Sequence, residues 1–178
     1  MNTEYFYGVV PPVFPLSFVS YPTRSGHSVE VFFTGCSHNC PGCQNPNLRA
    51  FGEVEQKISY DEFVEALKDS CRRNITDKVV LLGGDPLSYQ NRFFVQRLLE
   101  DLSDEYKFCV YTGHSLNEID KFVKKAEFVK CGRFLQIEYQ EPAKTDEYLQ
   151  FASKNQILYK REGISGFKKV STEGRYYF

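Results

Sequence analysis

The sequence predicts an α/β protein whose mostly parallel sheet forms an open, partial βα barrel. Strand-like apolar runs alternate with helical patterns along the chain, which is typical of βα units. A complete eight-unit barrel needs about 250 residues, whereas this chain has 178. That length favours a single domain with one core. We predict one domain over 1–178, with an N-terminal extension over 1–25 and a basic C-terminal tail over 161–178.

The first predicted strand is 28–34, and it leads directly into a cysteine-rich loop. Ser59 and Glu62 match a capping box, which predicts a helix that begins after Ser59. Ser115 and Glu118 match a second capping box at the start of a later helix. The other predicted elements are strands at 78–82, 107–112, 127–131 and 156–160 and a helix at roughly 90–102.

Three loops follow predicted strands directly: the cysteine loop, the GGDP segment at 83–86 and the TGH segment at 112–114. In open α/β sheets, ligands bind beyond the carboxyl ends of the strands. We therefore expect these loops to converge on one edge of the sheet.

Composition indicates a globular protein with no affinity for nucleic acid, because the hydrophobic content is 42% and the net charge is −1. The N-terminus lacks the basic region of a signal peptide, and no run approaches the ~18 apolar residues that span a membrane. We expect a cytoplasmic protein that binds no membrane, in which the six cysteines serve metal binding or catalysis rather than disulfides. The segment from Lys154 onward contains six Lys or Arg residues and two Glu residues. This excess of positive charge indicates either a solvated tail or a docking surface for a partner.

The segment GCSHNCPGCQNP, residues 35–46, places Cys36, Cys40 and Cys43 on one short loop. Three thiolates suit an iron–sulfur cube, since they ligate three irons and leave the fourth open as a substrate site. Zinc normally takes four protein ligands, or three and a water, and His38 as a ligand would strain so short a loop. The spacing favours a [4Fe-4S] cluster, with zinc or free thiols as alternatives.

The C-x3-C-x2-C loop after the first strand and GGDP after a later one resemble the radical S-adenosylmethionine enzymes. In order, the segments GCSHNCPGCQNP, LLGGDPL, VYTGH, CGRF and SKNQILY resemble the anaerobic ribonucleotide reductase activating proteins, over roughly 26–160. The chain departs from the family where Arg49 replaces a usual aromatic residue, Cys131 replaces an acidic residue and FASKNQ replaces RGSSNQ.

The resemblance implies a fold of the radical S-adenosylmethionine type with two cofactors, a [4Fe-4S] cluster and S-adenosylmethionine. One electron cleaves S-adenosylmethionine into methionine and a 5′-deoxyadenosyl radical, which takes hydrogen from a glycine of the large subunit of anaerobic ribonucleotide reductase. A low-potential donor such as reduced flavodoxin is the implied electron source. No catalytic residue beyond the cluster and S-adenosylmethionine is implied, because the hard chemistry belongs to the cofactors.

The candidate site residues form two groups. Cys36, Cys40 and Cys43 are the predicted metal ligands. In GGDP, the carbonyls of two glycines can approach a ligand closely, the carboxylate can accept from the methionine ammonium, and the proline stiffens the exit; the segment alone is equally typical of a turn. By the resemblance, the peptide around the third cysteine lies beside the adenosine. The predicted cofactor-binding residues are Gly42, Cys43, Gln44, Gly83, Gly84, Asp85 and Pro86, with Asn45, Tyr111, Thr112 and His114 as weaker candidates.

The three remaining cysteines carry separate predictions. Cys71 falls on the apolar face of a predicted helix and Cys109 inside a predicted strand, so both are expected to be small buried hydrophobes. Cys131 stands at a strand end near the expected active edge, where both a buried thiol and a functional thiol remain open.

Three other functions remain open at the level of sequence. The first two are an activator of another glycyl-radical enzyme, such as pyruvate formate-lyase, and a small-molecule enzyme of the same superfamily. The third belongs to another class and is a zinc-binding interaction module without catalysis.

Overall fold

This computed structural model describes residues 5–6, 14–18, 20–24, 26–51, 58–163 and 166–178. These residues contain twelve strands and three α-helices. The helices are α1 (Tyr60–Arg73), α2 (Arg92–Leu102) and α3 (Leu116–Ile119). The strands are β1 (Tyr5–Phe6), β2 (Leu16–Ser17), β3 (Ser28–Phe33), β4 (Ile58–Ser59), β5 (Lys78–Gly83), β6 (Lys107–Tyr111), β7 (Phe128–Cys131), β8 (Ala143–Lys144), β9 (Tyr148–Gln150), β10 (Ile157–Glu162), β11 (Gly166–Lys169) and β12 (Arg175–Tyr177). Part of the predicted N-terminal extension lies outside the described residues.

The main sheet has seven strands in the order β11-β10-β7-β6-β5-β3-β2. Its four central strands, β3, β5, β6 and β7, are parallel neighbours. The strands at the two edges, β2 on one side and the β10–β11 hairpin on the other, run antiparallel. The prediction of an α/β fold with a mostly parallel sheet is confirmed for these central strands, whose bounds match the predicted ones within one or two residues.

The two capping boxes that start α1 and α3 are both present, as predicted. The backbone N–H of Glu62 donates to Ser59 Oγ (3.2 Å), while the Glu62 carboxylate accepts from the Ser59 backbone N–H (2.9 Å). Such reciprocal bonds satisfy donors that the first turn of a helix leaves unpaired. α3 ends after one turn at Ile119 and continues as a 3₁₀ turn at Asp120–Phe122.

The two faces of the sheet are covered differently. Val79 and Leu81 of β5 point into a core shared with α1 and α2, whereas Val80 lies in a second core with Leu149 and Phe151. This alternation follows from the two-residue period of a strand. A small sheet in the order β12-β9-β8 contributes to the second core. The helices therefore cover one face, and the second face is left partly open at the carboxyl ends of the parallel strands.

The residues of the predicted basic tail, 161–178, form the end of β10 and the strands β11 and β12. β12 pairs with β9, and Tyr176 and Phe178 pack against the second core. No helix within the described ranges is long and apolar enough to cross a bilayer.

Candidate metal centre and cofactor cavity

The cysteine loop, residues 35–46, leaves the carboxyl end of β3. Gly35 and Gly42 have φ values of +89° and +69°, in the left-handed region that favours glycine. The N–H groups of Gly35 and Cys36 donate to the carbonyls of Leu48 (2.8 Å) and Arg49 (3.0 Å), which closes the loop at its base. The predicted metal ligands Cys36, Cys40 and Cys43 are thus presented by one closed backbone segment.

The three loop cysteines line a cavity of about 300 Å³ on the sheet face opposite the helices. A volume of this size is typical of a site for a small organic molecule. Of the other predicted residues, six line the same cavity, namely Gln44, Asn45, Gly83, Gly84, Tyr111 and Thr112. The structure thus brings the cysteine loop, GGDP and the end of β6 to one edge of the sheet.

Four predicted residues are not among those that line the cavity. Gly42 packs against Gln136, whose Oε1 would lie 2.0 Å from a Cβ added at that glycine. Pro86 is buried. The ring centroids of His114 and His38 are 4.4 Å apart. The fourth, Asp85, is 1% exposed and is occupied by contacts within the protein.

Asp85 joins the three loops that meet at this edge. Its Oδ1 accepts from the Leu87 backbone N–H (2.8 Å), and both carboxylate oxygens accept from Thr112 Oγ1 (2.9 and 3.0 Å). Its Oδ2 also accepts from the Gly113 backbone N–H (3.0 Å) and lies 2.9 Å from His38 Nε2. The structure therefore places Asp85 as a junction between the loops, whereas the sequence suggested an acceptor that faces the ligand.

The glycines of GGDP are required where that segment packs against the end of β3 and the chain that follows the cysteine loop. A Cβ added to Gly84 would lie 2.4 Å from the carbonyl oxygen of Leu48, and one added to Gly83 would lie 2.5 Å from that of Phe33. Both obstacles are backbone atoms, which cannot move aside. The Gly84 N–H also donates to the Phe33 carbonyl (2.7 Å), and Asn45 Nδ2 donates to the Gly83 carbonyl (3.4 Å).

The spacing of the three loop cysteines fits a cluster better than one zinc ion held by all three. Within the described residues, the one group of three whose ligand atoms lie within 4.8 Å of one another is His38, Asp85 and His114, and the loop cysteines form no such group. A tetrahedral zinc ion with bonds of about 2.3 Å would hold its sulfurs about 3.8 Å apart. In a cube, by contrast, each cysteine binds a different iron.

Burial raises the pKa of the Cys36 thiol, while a hydrogen bond from the backbone of His38 opposes that effect. A metal ligand must lose its proton, so metal binding at this thiol has to overcome the cost of a buried thiolate. The backbone N–H contact already offsets part of that cost.

Lys130 of β7 is a cavity residue that the sequence analysis missed. Its Nζ lies 4.6 Å from the ring centroid of Tyr111 and 5.8 Å from that of Phe151. Burial lowers the pKa of this lysine to about 8, and no carboxylate of the described residues forms an ion pair with it. The signal was present in the sequence, because a lysine interrupts the otherwise apolar run at 128–131 and alternation places it on the face of Phe128.

Cys131 does not face the cavity. It is 4% exposed and belongs to the core on the helix side of the sheet, and burial raises its pKa to about 12. A neutral thiol in an apolar core is a packing residue. The structure thus favours the buried-thiol alternative for this position.

Replacement of Cys71 or Cys109 by Ala is expected to leave the iron content unchanged. Both side chains are buried, at 1% and 0% exposure, as predicted, and burial raises both pKa values, that of Cys71 to about 12. The expected cost is a loss of unfolding free energy of up to a few kcal/mol from the small cavity. Urea unfolding and iron analysis of the reconstituted variants test this, and loss of iron from either one would show that the ligand set has been misassigned.

A mixed sheet with parallel central strands, with a loop of three cysteines at their carboxyl edge, is the arrangement expected of an α/β iron–sulfur protein. In agreement, the sequence model of the family described as "4Fe-4S single cluster domain" matches residues 24–159. The chain is 30% identical over 154 residues to the anaerobic ribonucleoside-triphosphate reductase-activating protein of Haemophilus influenzae, covering 79% of this chain and 94% of the relative. The proteins of that name from Escherichia coli K12 (27%; 82% and 94% covered) and phage T4 (32%; 66% and 72% covered) are similar too. The chain belongs to the 4Fe-4S single cluster domain family and, within it, to the anaerobic ribonucleoside-triphosphate reductase-activating proteins.

Proposed function

We propose that this protein activates an anaerobic ribonucleoside-triphosphate reductase by generating a glycyl radical on it. The observation that carries the proposal is a loop of three cysteines that opens onto a cavity, while the other three cysteines of the chain are buried in the two cores. That donor set fits a [4Fe-4S] cluster with one iron left free for a second ligand. We further propose that residues 1–178 form one partial-barrel domain of the radical S-adenosylmethionine type, active in the cytoplasm where its six free cysteines stay reduced.

When bound, the cluster and S-adenosylmethionine supply the chemistry, in which an electron from a donor such as reduced flavodoxin leads to a 5′-deoxyadenosyl radical that takes hydrogen from a glycine of the reductase. The protein holds and orients these groups and excludes water. We assign Cys36, Cys40 and Cys43 as the cluster ligands. The walls of the cavity suit S-adenosylmethionine, because Gly83 and Gly84 leave backbone groups accessible to its ammonium.

Lys130 is proposed to pair with the carboxylate of S-adenosylmethionine. It places a cation in a cavity whose nearby walls, Tyr111 and Phe151, are aromatic. A charge-assisted hydrogen bond to a carboxylate is stronger than a neutral one, especially where water is excluded. The same burial that lowers the pKa of the free lysine therefore favours an anionic ligand beside it.

Lys130→Met is expected to raise the Kd for S-adenosylmethionine by at least about tenfold, since the lost hydrogen bond to a charged group is worth about 1.5–3 kcal/mol. The wild-type affinity should fall as the pH rises above about 8, where free Lys130 loses its proton, and the affinity of the variant should not show this step. Anaerobic equilibrium dialysis on cluster-loaded protein measures both effects. Lys160→Met is the matched control, because Lys160 Nζ also lies over an aromatic ring (5.5 Å from Phe128) but outside the cavity. Equal affinity of wild type and Lys130→Met at pH 7 would contradict the assignment.

The proposed function is tested with anaerobically reconstituted protein, a strong reductant, S-adenosylmethionine and the reductase. We expect about four irons with matching sulfide per chain, formation of 5′-deoxyadenosine and the appearance of reductase activity. A colourless protein with one zinc ion would support the interaction-module alternative. Cleavage of S-adenosylmethionine that activates pyruvate formate-lyase, or a small molecule, instead of the reductase would support one of the other two radical functions.

A further inference from the structure

An exposed apolar rim, formed by Leu135, Ile137 and Tyr139, borders the cavity. Their exposed fractions are 39%, 95% and 45%. The two residues that precede the rim, Arg133 and Phe134, line the cavity itself. The rim is therefore continuous with the cavity wall.

The rim also stands directly beside the cysteine loop. Gln136, between two rim residues, extends its side chain over Gly42, where an added Cβ would meet Oε1 at 2.0 Å and the ring of Phe134 at 3.3 Å. A molecule that binds to the rim therefore lies next to the loop that carries the proposed cluster ligands.

The backbone of the rim is held by hydrogen bonds to the segment 152–155. Ser153 Oγ accepts from the Leu135 N–H (3.3 Å), and Asn155 Nδ2 donates to the Arg133 carbonyl (2.9 Å). The Lys154 N–H donates to the Glu138 carbonyl (3.1 Å). The apolar side chains are therefore displayed by an anchored segment, and a partner would not have to order that backbone on binding.

We propose that this rim is the surface on which the reductase docks, so that its glycine-bearing segment reaches the adjacent cavity. The inference rests on the proposed function. A small-molecule substrate would be enclosed by the cavity and would gain nothing from an apolar rim outside it. A polypeptide substrate must lie across the cavity mouth, where exposed apolar side chains provide the contact that such interfaces use. The partner is thus expected to carry apolar side chains next to its reactive glycine.

The variants Leu135→Asp and Ile137→Asp test the docking surface. Each is expected to weaken binding of the protein, without cluster or S-adenosylmethionine, to the reductase by at least about tenfold, because a carboxylate in an apolar interface loses its hydration. Binding is measured by biolayer interferometry, with circular dichroism to verify the fold. Ile75→Asp is the matched control: Ile75 is 91% exposed but precedes β5, at the opposite edge of the sheet, and its φ of +51° is one that Asp tolerates.

A second measurement separates this inference from the proposed function. In the rim variants, S-adenosylmethionine cleavage in the absence of reductase should stay within about twofold of wild type, while glycyl radical formation on the reductase falls by at least about tenfold. If the wild type itself forms no 5′-deoxyadenosine, the proposed function is what fails. Wild-type affinity for the reductase in both rim variants would overturn the docking surface. So would a change in self-association with unchanged reductase binding, which would identify the rim as a contact between copies of this chain.

Discussion

Replacement of any one of Cys36, Cys40 or Cys43 by Ala is expected to abolish the cluster. Each thiolate is proposed to hold a different iron, and the remaining three cysteines are buried in the two cores, so no other thiol can take its place. Iron should fall from about four per chain to less than about one. Reductive cleavage of S-adenosylmethionine should fall by at least about a thousandfold, because that chemistry belongs to the cofactors.

Iron and sulfide analysis after anaerobic reconstitution checks this expectation, with 5′-deoxyadenosine quantified by chromatography. Cys71→Ala is the control, since it removes a thiol of the same chain without touching the loop. A loop variant that retained wild-type iron and cleavage would contradict the ligand assignment.

Asp85→Asn is expected to have the second largest effect, on both stability and cluster uptake. The carboxylate accepts from Leu87, Thr112 and Gly113 and contacts His38. An amide of the same size would turn an NH₂ group toward N–H and O–H donors at a site that is 1% exposed. Leaving such buried partners unsatisfied costs about 3–5 kcal/mol. Loosening the junction should also release the cysteine loop from GGDP and lower the iron content.

Urea unfolding of the metal-free protein measures the effect on stability, and iron analysis measures the effect on cluster uptake. Asp77→Asn is the matched control, because Asp77 pairs with Lys107 at 2.8 Å where both side chains are about half exposed. Such an exposed pair is worth at most about 1 kcal/mol. If both variants lost the same stability, Asp85 would be no more than an ordinary surface carboxylate.

The central strands were predictable because each buried strand is a short apolar run that ends at glycine or at a polar loop. The antiparallel edges were not. A parallel return needs a crossover of a dozen or more residues, usually a helix, and between β7 and β10 the chain forms the short strands β8 and β9 instead. β10 therefore returns antiparallel to β7. Hydrophobic periodicity predicts where a strand lies and which residues share a face, but it does not predict whether the strand pairs parallel or antiparallel with its neighbour.

Some features of the site were likewise predictable from the sequence and others were not. The three cysteines lie within eight positions, so the loop is visible in the sequence. Asp85 was identified, but its geometry depends on contacts with Thr112 and Gly113, 27 and 28 residues away. Lys130 was missed although its interruption of an apolar strand is visible in the sequence, whereas the rim at Ile137 gains its significance only when the folded chain places it beside the cavity.

The most direct test of the account is electron paramagnetic resonance of the reductase after incubation with reduced protein and S-adenosylmethionine, using reductase labelled with α-deuterated glycine and an unlabelled sample. We expect an organic radical whose splitting by the α-hydrogen is present in the unlabelled enzyme and collapses in the labelled one. Deuterium from the glycine should also appear in the 5′-deoxyadenosine. A radical unaffected by the label, or 5′-deoxyadenosine without deuterium, would contradict hydrogen transfer from a glycine of the partner.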